Sequence, residues 1–224
     1  MRFNTNKTLR TLIAAAAVLF AFTSCAQLGL EDDSDDSELF ALLGLAVLNA
    51  STCTDNTCKT FLTSGTFAPN SGFSAADPFC AADANKPSTG GTYKALLAMP
   101  NVRVACTTAN CSGGISENTN WILHPNTKYV RSDGTTEIFT TNSSGIFEFG
   151  TATNSATGTA DGYTTGLEAD WTTGANCNNY MGPDSGSNYI YGIANTTNSQ
   201  VISAVDTACD DGSAPLVKLL CVEQ

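Results

Sequence analysis

Nine cysteines in a chain of 224 residues limit what it can fold into more than any other feature. One of them, Cys25, stands directly behind the small residues Thr23 and Ser24, and the other eight form an even set between Cys53 and Cys221. In an exported chain an even set reads as a disulfide framework rather than as free thiols. Two pairs share one spacing, Cys53-Thr-Asp-Asn-Thr-Cys58 and Cys106-Thr-Thr-Ala-Asn-Cys111, and each can close a small ring on itself. A four-cysteine zinc site is the rival use of such pairs, but an oxidising compartment and the absence of a nearby histidine argue against it. Cys80, Cys177, Cys209 and Cys221 remain, and spacing alone leaves their pairing open.

Export is read from residues 1–24. Arg2, Lys7 and Arg10 make a basic leader, and Thr11 to Phe22 is apolar but short for a bilayer span. Small residues before a cysteine are the mark of a lipoprotein-type signal, with an ordinary secretory signal or an anchor helix as the other readings. Cys25 is then the expected acylated N-terminus. A multi-chain lipid there holds the protein to a membrane, since each buried methylene adds about 0.8 kcal/mol.

Without the leader the chain carries 7 basic and 21 acidic residues, a net charge of −14. Residues 25–58 are expected to form a tether. They hold seven of the acids, Glu31, Asp32, Asp33, Asp35, Asp36, Glu38 and Asp55, and no base. The remaining domain, residues 59–224, has a net charge of −7. With no basic stripe to displace counterions, nucleic acid is excluded as a partner. Glu31 to Glu38 self-repels and extends as a spacer. Leu39 to Leu48 is apolar throughout and suits a short helix capped by Asp36 or Ser37, docking on the domain, a membrane interface or a second copy of the chain as a homo-oligomer.

Within the domain, short apolar runs among Gly, Thr, Ser and Asn favour strands and loops over a helical bundle. Lys59 to Phe67 is an expected opening strand. Asp77-Pro78 caps a short helix carrying Phe79, Cys80 and Ala84, with Cys80 and Ala84 on one face. Trp121-Ile122-Leu123 and Gly145 to Gly150 are further strand candidates, and Lys128 to Arg131 pairs with Thr135 to Thr140 across Asp133-Gly134. Residues 151–166 read as loop. Tyr189-Ile190-Tyr191 is a strand, and Leu216 to Val222 is apolar on both faces, as a central strand requires.

Several of these segments together resemble a known framework. Cys80 on a short helix, Gly91-Thr92-Tyr93-Lys94-Ala95-Leu96-Leu97, Asn176-Cys177 beside Trp171, then Cys209 and Leu220-Cys221-Val222-Glu223 are similar to endostatin, a C-type-lectin-like domain. Ala82-Asp83-Ala84-Asn85-Lys86-Pro87, Arg103 to Cys111 and Asp170 to Cys177 bring the chain closer to the leptospiral endostatin-like outer-membrane lipoproteins. The resemblance implies an α+β fold: a C-type-lectin-like (endostatin-like), disulfide-stapled domain with short helices and a mixed, mainly antiparallel sheet. It implies nested bridges, Cys177 with Cys209 inside Cys80 with Cys221. It also implies a lipid-anchored protein of the outer membrane, displayed at the cell surface. The function implied is an adhesin, also active in immune evasion, that binds host matrix and plasma proteins such as laminin, fibronectin, plasminogen and factor H. Endostatin's zinc histidines and heparin-binding arginines do not carry over, because His124 is the only histidine and the domain is acidic.

No cofactor is expected. The single histidine rules out most catalytic triads, and Glu168 with Asp170 reads as solvated carboxylates sooner than as a glycosidase pair. A calcium- or sugar-binding lectin-like module using Asp206, Asp210 and Asp211 before Gly212 is the alternative, although calcium-hand spacing is missing. Trp121 and Trp171 are expected in the core rather than as ligand platforms. Recognition is expected from the Thr-, Ser-, Asn- and Gly-rich segment Thr141 to Gly166, which offers neutral hydrogen-bonding groups.

Overall fold

Residues 217–223 alternate their side chains between separate apolar sets, and the architecture follows from that period of two. Leu220 and Val222 join one buried cluster with Leu62, Leu96, Ile122, Tyr129, Phe139, Phe147, Tyr163 and Trp171. Leu219 and Cys221 face a second, with Phe61, Phe67, Cys80, Tyr93, Ala95 and Leu97. Val217 packs with Cys177 and Tyr189 in a third.

The computed structural model describes residues 53–68, 71–181, 186–209 and 217–224, all within one unit, Asn49–Gln224. The signal, Cys25, the acidic run, the apolar segment 39–48, the residues Asp210, Asp211 and Gly212, and Leu216 lie outside the described residues. Eight strands are described: β1 (Thr57–Leu62), β2 (Tyr93–Ala95), β3 (Lys128–Val130), β4 (Glu137–Thr140), β5 (Gly162–Thr164), β6 (Asn188–Ile193), β7 (Val205–Ala208) and β8 (Leu220–Glu223). They form a five-stranded sheet ordered β2-β8-β1-β3-β4 and a three-stranded sheet ordered β5-β6-β7. Every pairing is antiparallel except β1 with β3, which is parallel. The fold is thus α+β with a mixed, mainly antiparallel sheet.

β8 lies between β1 and β2, with Phe61 opposite Cys221 and Ala95 opposite Cys221 on its other edge. Just before it, Val217 bridges Phe67, and Lys218 exchanges backbone hydrogen bonds with Gly162 and Thr164, joining the second sheet to the first. The short helix α1 (Ala76–Ala82) lies on the Phe61 face, where Cys80 bonds Cys221. The other bridges are Cys177–Cys209, nested in sequence inside the first, and the small rings Cys53–Cys58 and Cys106–Cys111. These are the pairs expected.

Other elements depart from expectation. α1 ends at Ala82, so Ala84 lies beyond it, and Asp77 sits in its first turn rather than at the cap. Its carboxylate is taken by Arg103, with Nη1 to Oδ1 at 3.0 Å and Nη2 to Oδ2 at 2.6 Å, and by the Ala95 amide at 3.0 Å. The opening strand ends at Leu62, five residues before Phe67. Trp121-Ile122-Leu123 and Gly145 to Gly150 form no strand. Ile122, Leu123, Ile146 and Phe147 are nevertheless buried, Trp121 and Phe149 partly so, on an irregular backbone, with Trp121 Nε1 donating to Gly145 O. Residues 151–166, expected as loop throughout, contain β5.

Asn176-Cys177-Asn178-Asn179-Tyr180 forms a left-handed turn, with φ of 51°, 50°, 62° and 60° from Cys177 to Tyr180. Asparagine tolerates this region, but the other two residues do not favour it, at a cost of roughly 1–2 kcal/mol each. Compensation is local. Asn176 Oδ1 accepts from Asn179 N, Cys177 is bridged, and the fully buried Tyr180 donates its hydroxyl to Ala98 O.

Candidate functional site

Segment 141–166 is built into the fold more firmly than its composition suggests. Ile146 and Phe147 are buried, Ala156 and Tyr163 join the same cluster, and Thr164 and Thr165 are fully covered. Arg131 holds the middle of the segment by donating Nε and Nη2 to Ser155 O. Thr153 N donates to Ile138 O, and Asn154 Nδ2 donates to Glu137 O along β4. The polar side chains that the segment shows to solvent are those of Ser143, Glu148, Thr151, Thr153, Asn154 and Thr159. A polar rim thus stands on an apolar base, and its backbone groups are largely satisfied by the frame.

A cleft opens at each end of the segment. The first, about 380 Å³, is lined by Asn110, Asn142, Ile146, Phe147, Glu148 and Phe149. Phe149 stacks flat on Trp171 at 5.7 Å, Phe147 stacks on Phe139 at 4.0 Å, and Trp121 meets Trp171 edge-on at 6.2 Å. Asn142 is fixed by accepting from Ser144 N and Ile146 N at its Oδ1. Asn110 sits in the Cys106–Cys111 ring at φ 53°, with its N–H held by Asp170 O at 2.7 Å. The second cleft, about 340 Å³, is lined by Phe61, Leu62, Asn85, Ser132, Thr157, Thr159, Asp161 and Lys218. There Asp161 pairs with Lys218 at 3.2 Å and also accepts from the Thr159 hydroxyl, so its polar groups are already matched.

Carboxylates stiffen the loops around these clefts. Glu117 accepts from the hydroxyls and amides of Thr107 and Thr108 and from the Gly113 amide, pinning the Cys106–Cys111 ring. The Thr108 hydroxyl, followed by those backbone donors, brings the acid down to about 2. Asp133 does the same for the turn after β3, accepting from Thr135 and Thr136, and the Thr136 hydroxyl and amide hold its carboxyl far below the usual range. Asp83 ties residues 64–65 to the end of α1; burial opposes its ionisation, but the Ser64 and Asn85 amides outweigh it and lower its pKa.

The remaining candidates are dispersed. Glu168 and Asp170 lie in a turn closed by Trp171 N to Glu168 O rather than on a strand, and Asp170 is occupied by the Thr172 amide and hydroxyl. His124 is half-buried with Nε2 covered and unpartnered, and burial and the nearby Lys94 lower its pKa. Asp206 lies on β7, and among the described residues no group of three or more His, Cys, Asp or Glu side chains could hold a metal ion. Trp171 is 1% exposed and belongs to the core, and Trp121 packs against it. The amide-and-aromatic cleft escaped the sequence reading because Ile146 to Phe149 looked like strand. The alternation Phe147-Glu148-Phe149 was the available signal, an apolar pair with a carboxylate between.

Compared with known proteins, residues 60–200 match the family model described as "Protein of unknown function (DUF1554)". No curated protein and no solved structure matches the chain.

Proposed function

The chain belongs to the DUF1554 family, and from its fold and the disposition of its loops we propose a protein-recognition module rather than an enzyme. The finer reading is an endostatin-like, C-type-lectin-like domain carried by a surface lipoprotein. It is anchored through Cys25 in the outer membrane and binds host matrix and plasma proteins of the laminin, fibronectin, plasminogen and factor H class, as an adhesin that also serves immune evasion. One observation carries this reading: a frame closed by four disulfides holds segment 141–161, with six of its polar side chains in solvent, between two clefts. A rigid frame that presents groups with little ordering left to do lowers the entropic cost of association. The domain's charge of −7 adds attraction to basic partner surfaces.

The test is binding of the full chain, in detergent, to immobilised laminin, fibronectin, plasminogen and factor H across a salt series, with and without calcium. Binding should be calcium-independent, weaken as salt rises and fall when Thr151, Thr153 and Asn154 are all replaced by alanine. Replacing the whole of 141–166 is unsuitable, since it removes Phe147 and Tyr163 from the core. Failure of the wild-type chain to bind any of the four would remove support for the reading; binding only with calcium would favour the lectin-like alternative.

A further inference from the structure

Resting on the protein-recognition reading, we propose that the cleft between Asn110 and segment 142–149 takes an extended basic segment of the partner protein. An apolar partner side chain would sit against Ile146 and Phe149, an adjacent Arg or Lys would meet Glu148, and partner carbonyls would accept from Asn110 and Asn142. The fold leaves three polar groups of this cleft unused. Among the described residues, the side-chain amide of Asn110, Nδ2 of Asn142 and the carboxylate of Glu148 have no hydrogen-bond or ion-pair partner, although all three line one cleft. The second cleft, by contrast, satisfies its own charges.

Placement makes these groups usable. Asn110 is held by the Cys106–Cys111 ring and by its N–H on Asp170 O, and Asn142 by two backbone amides. Asn142 can donate without first being ordered, and Asn110 has only its side-chain torsions left to fix. Two amide donors on one cleft suit the carbonyls of an extended peptide. The apolar floor is firm, because Phe149 is stacked on Trp171, and Phe147 on Phe139.

Charge selects the side chain. Glu148 is the one charged residue lining this cleft, and none of the three ion pairs among the described residues involves it. An acidic ligand is repelled here, a neutral sugar leaves Glu148 without a counter-charge, and a guanidinium or ammonium supplies one.

The experiment presents the full chain, in detergent, to an array of short peptides in a glycine–serine frame carrying Arg-Leu, Lys-Leu, Glu-Leu or Arg-Ser, beside an array of neutral and acidic oligosaccharides. Arg-Leu and Lys-Leu peptides should bind best. Glu148→Lys, on an exposed side chain, should weaken them about three- to tenfold and raise binding of Glu-Leu, because an exposed attraction becomes a repulsion. Asn110→Gly, which keeps the left-handed backbone while deleting the amide, should weaken all peptides. Gln200→Ala, on an exposed side chain outside both clefts and the recognition segment, should change nothing, and urea midpoints matching wild type confirm that each variant is folded. The proposal is overturned if folded Glu148→Lys and Asn110→Gly bind as wild type does, or if oligosaccharides are captured in place of peptides. If the chain binds the matrix and plasma proteins but no peptide, this cleft is not the site and the recognition reading stands; if it binds neither, both fall.

Discussion

Replacing Cys80 and Cys221 together by alanine asks how much of the domain's stability comes from closing its longest loop. The bridged residues are 141 apart, against 32 for Cys177–Cys209 and 5 for each small ring. Loop-closure entropy then assigns about 5 kcal/mol to the long bridge, about 4 to the middle one and about 2 to a small ring. Nesting changes this little. Closing Cys177–Cys209 first shortens the outer loop, but the logarithmic dependence on length reduces its contribution by only about 0.2 kcal/mol. The proper control is the Cys106→Ala, Cys111→Ala variant, because all four sulfurs are buried, between 0% and 4% exposed, so the packing losses are similar. Urea unfolding followed by the fluorescence of Trp171, whose ring meets Phe147 at 4.9 Å, reads both variants. With a slope of about 2–3 kcal/mol per molar urea, the midpoint should drop by about 2 M without the long bridge and about 1 M without the ring. Since domains of this kind have roughly 5–15 kcal/mol in all, the first variant comes near its limit. Equal drops, or a larger one for the ring, would refute the closure argument.

Four further outcomes are expected. Asp77→Asn should cost about 2–4 kcal/mol, because it strands Arg103, whose side chain is 7% exposed, while Asp77 retains partial solvent access; a double-mutant cycle with Arg103→Met should show strong coupling, and additive losses would contradict it. Glu117 is lowered by the Thr108 hydroxyl to about 2, so its hold on the Cys106–Cys111 ring is complete above the ordinary value of 4.5 and is lost as pH falls toward 2; hydrogen exchange at the Thr107, Thr108 and Gly113 amides should rise in that window, and a midpoint near 4.5 would count against it. His124 has its pKa lowered by burial and Lys94, so the unfolded chain binds its proton first and stability should decline as pH drops below 6.5; His124→Gln should flatten that part of a thermal-melt pH profile, and an unchanged profile would exclude His124 as the cause. Gly192→Ala should reach the upper end of the roughly 1–3 kcal/mol typical of overpacking, since a Cβ there would overlap Val201 O, and a wild-type melting temperature would disprove it.

What could be read from the chain in advance was local or periodic. The alternation of Val217, Leu219 and Cys221 against Leu220 and Val222 marked a strand buried on both faces; β8 has that setting between β1 and β2 but begins only at Leu220, with Val217 and Lys218 ahead of it as isolated bridges. Asp133-Gly134 marked a hairpin, and β3 pairs with β4 around it. The misreadings have one physical source, which is that burial can be achieved without a ladder. Trp121, Ile122 and Leu123 look like a strand, but their backbone is met piecemeal by side chains such as the Gln224 amide, which donates to Ile122 O. The parallel pairing of β1 with β3 joins residues about seventy positions apart and leaves no local trace. The Arg103–Asp77 pair and the Asn110–Phe149 cleft are likewise products of tertiary placement, and residue type alone could not bring their members together.

Residues 217–224 contact Phe67, Gly162, Thr63, Leu96, Cys80, Lys59 and Thr92 in turn, through strand pairing, a disulfide and the Glu223 carboxylate. This imposes an order in time. A chain emerging N-terminus first from a ribosome delivers β1 and β2 long before the strand that must lie between them. Until then their facing edges have nothing to pair with, and Cys80 has no native partner. The five-stranded sheet is therefore completed only when residues 217–224 have emerged.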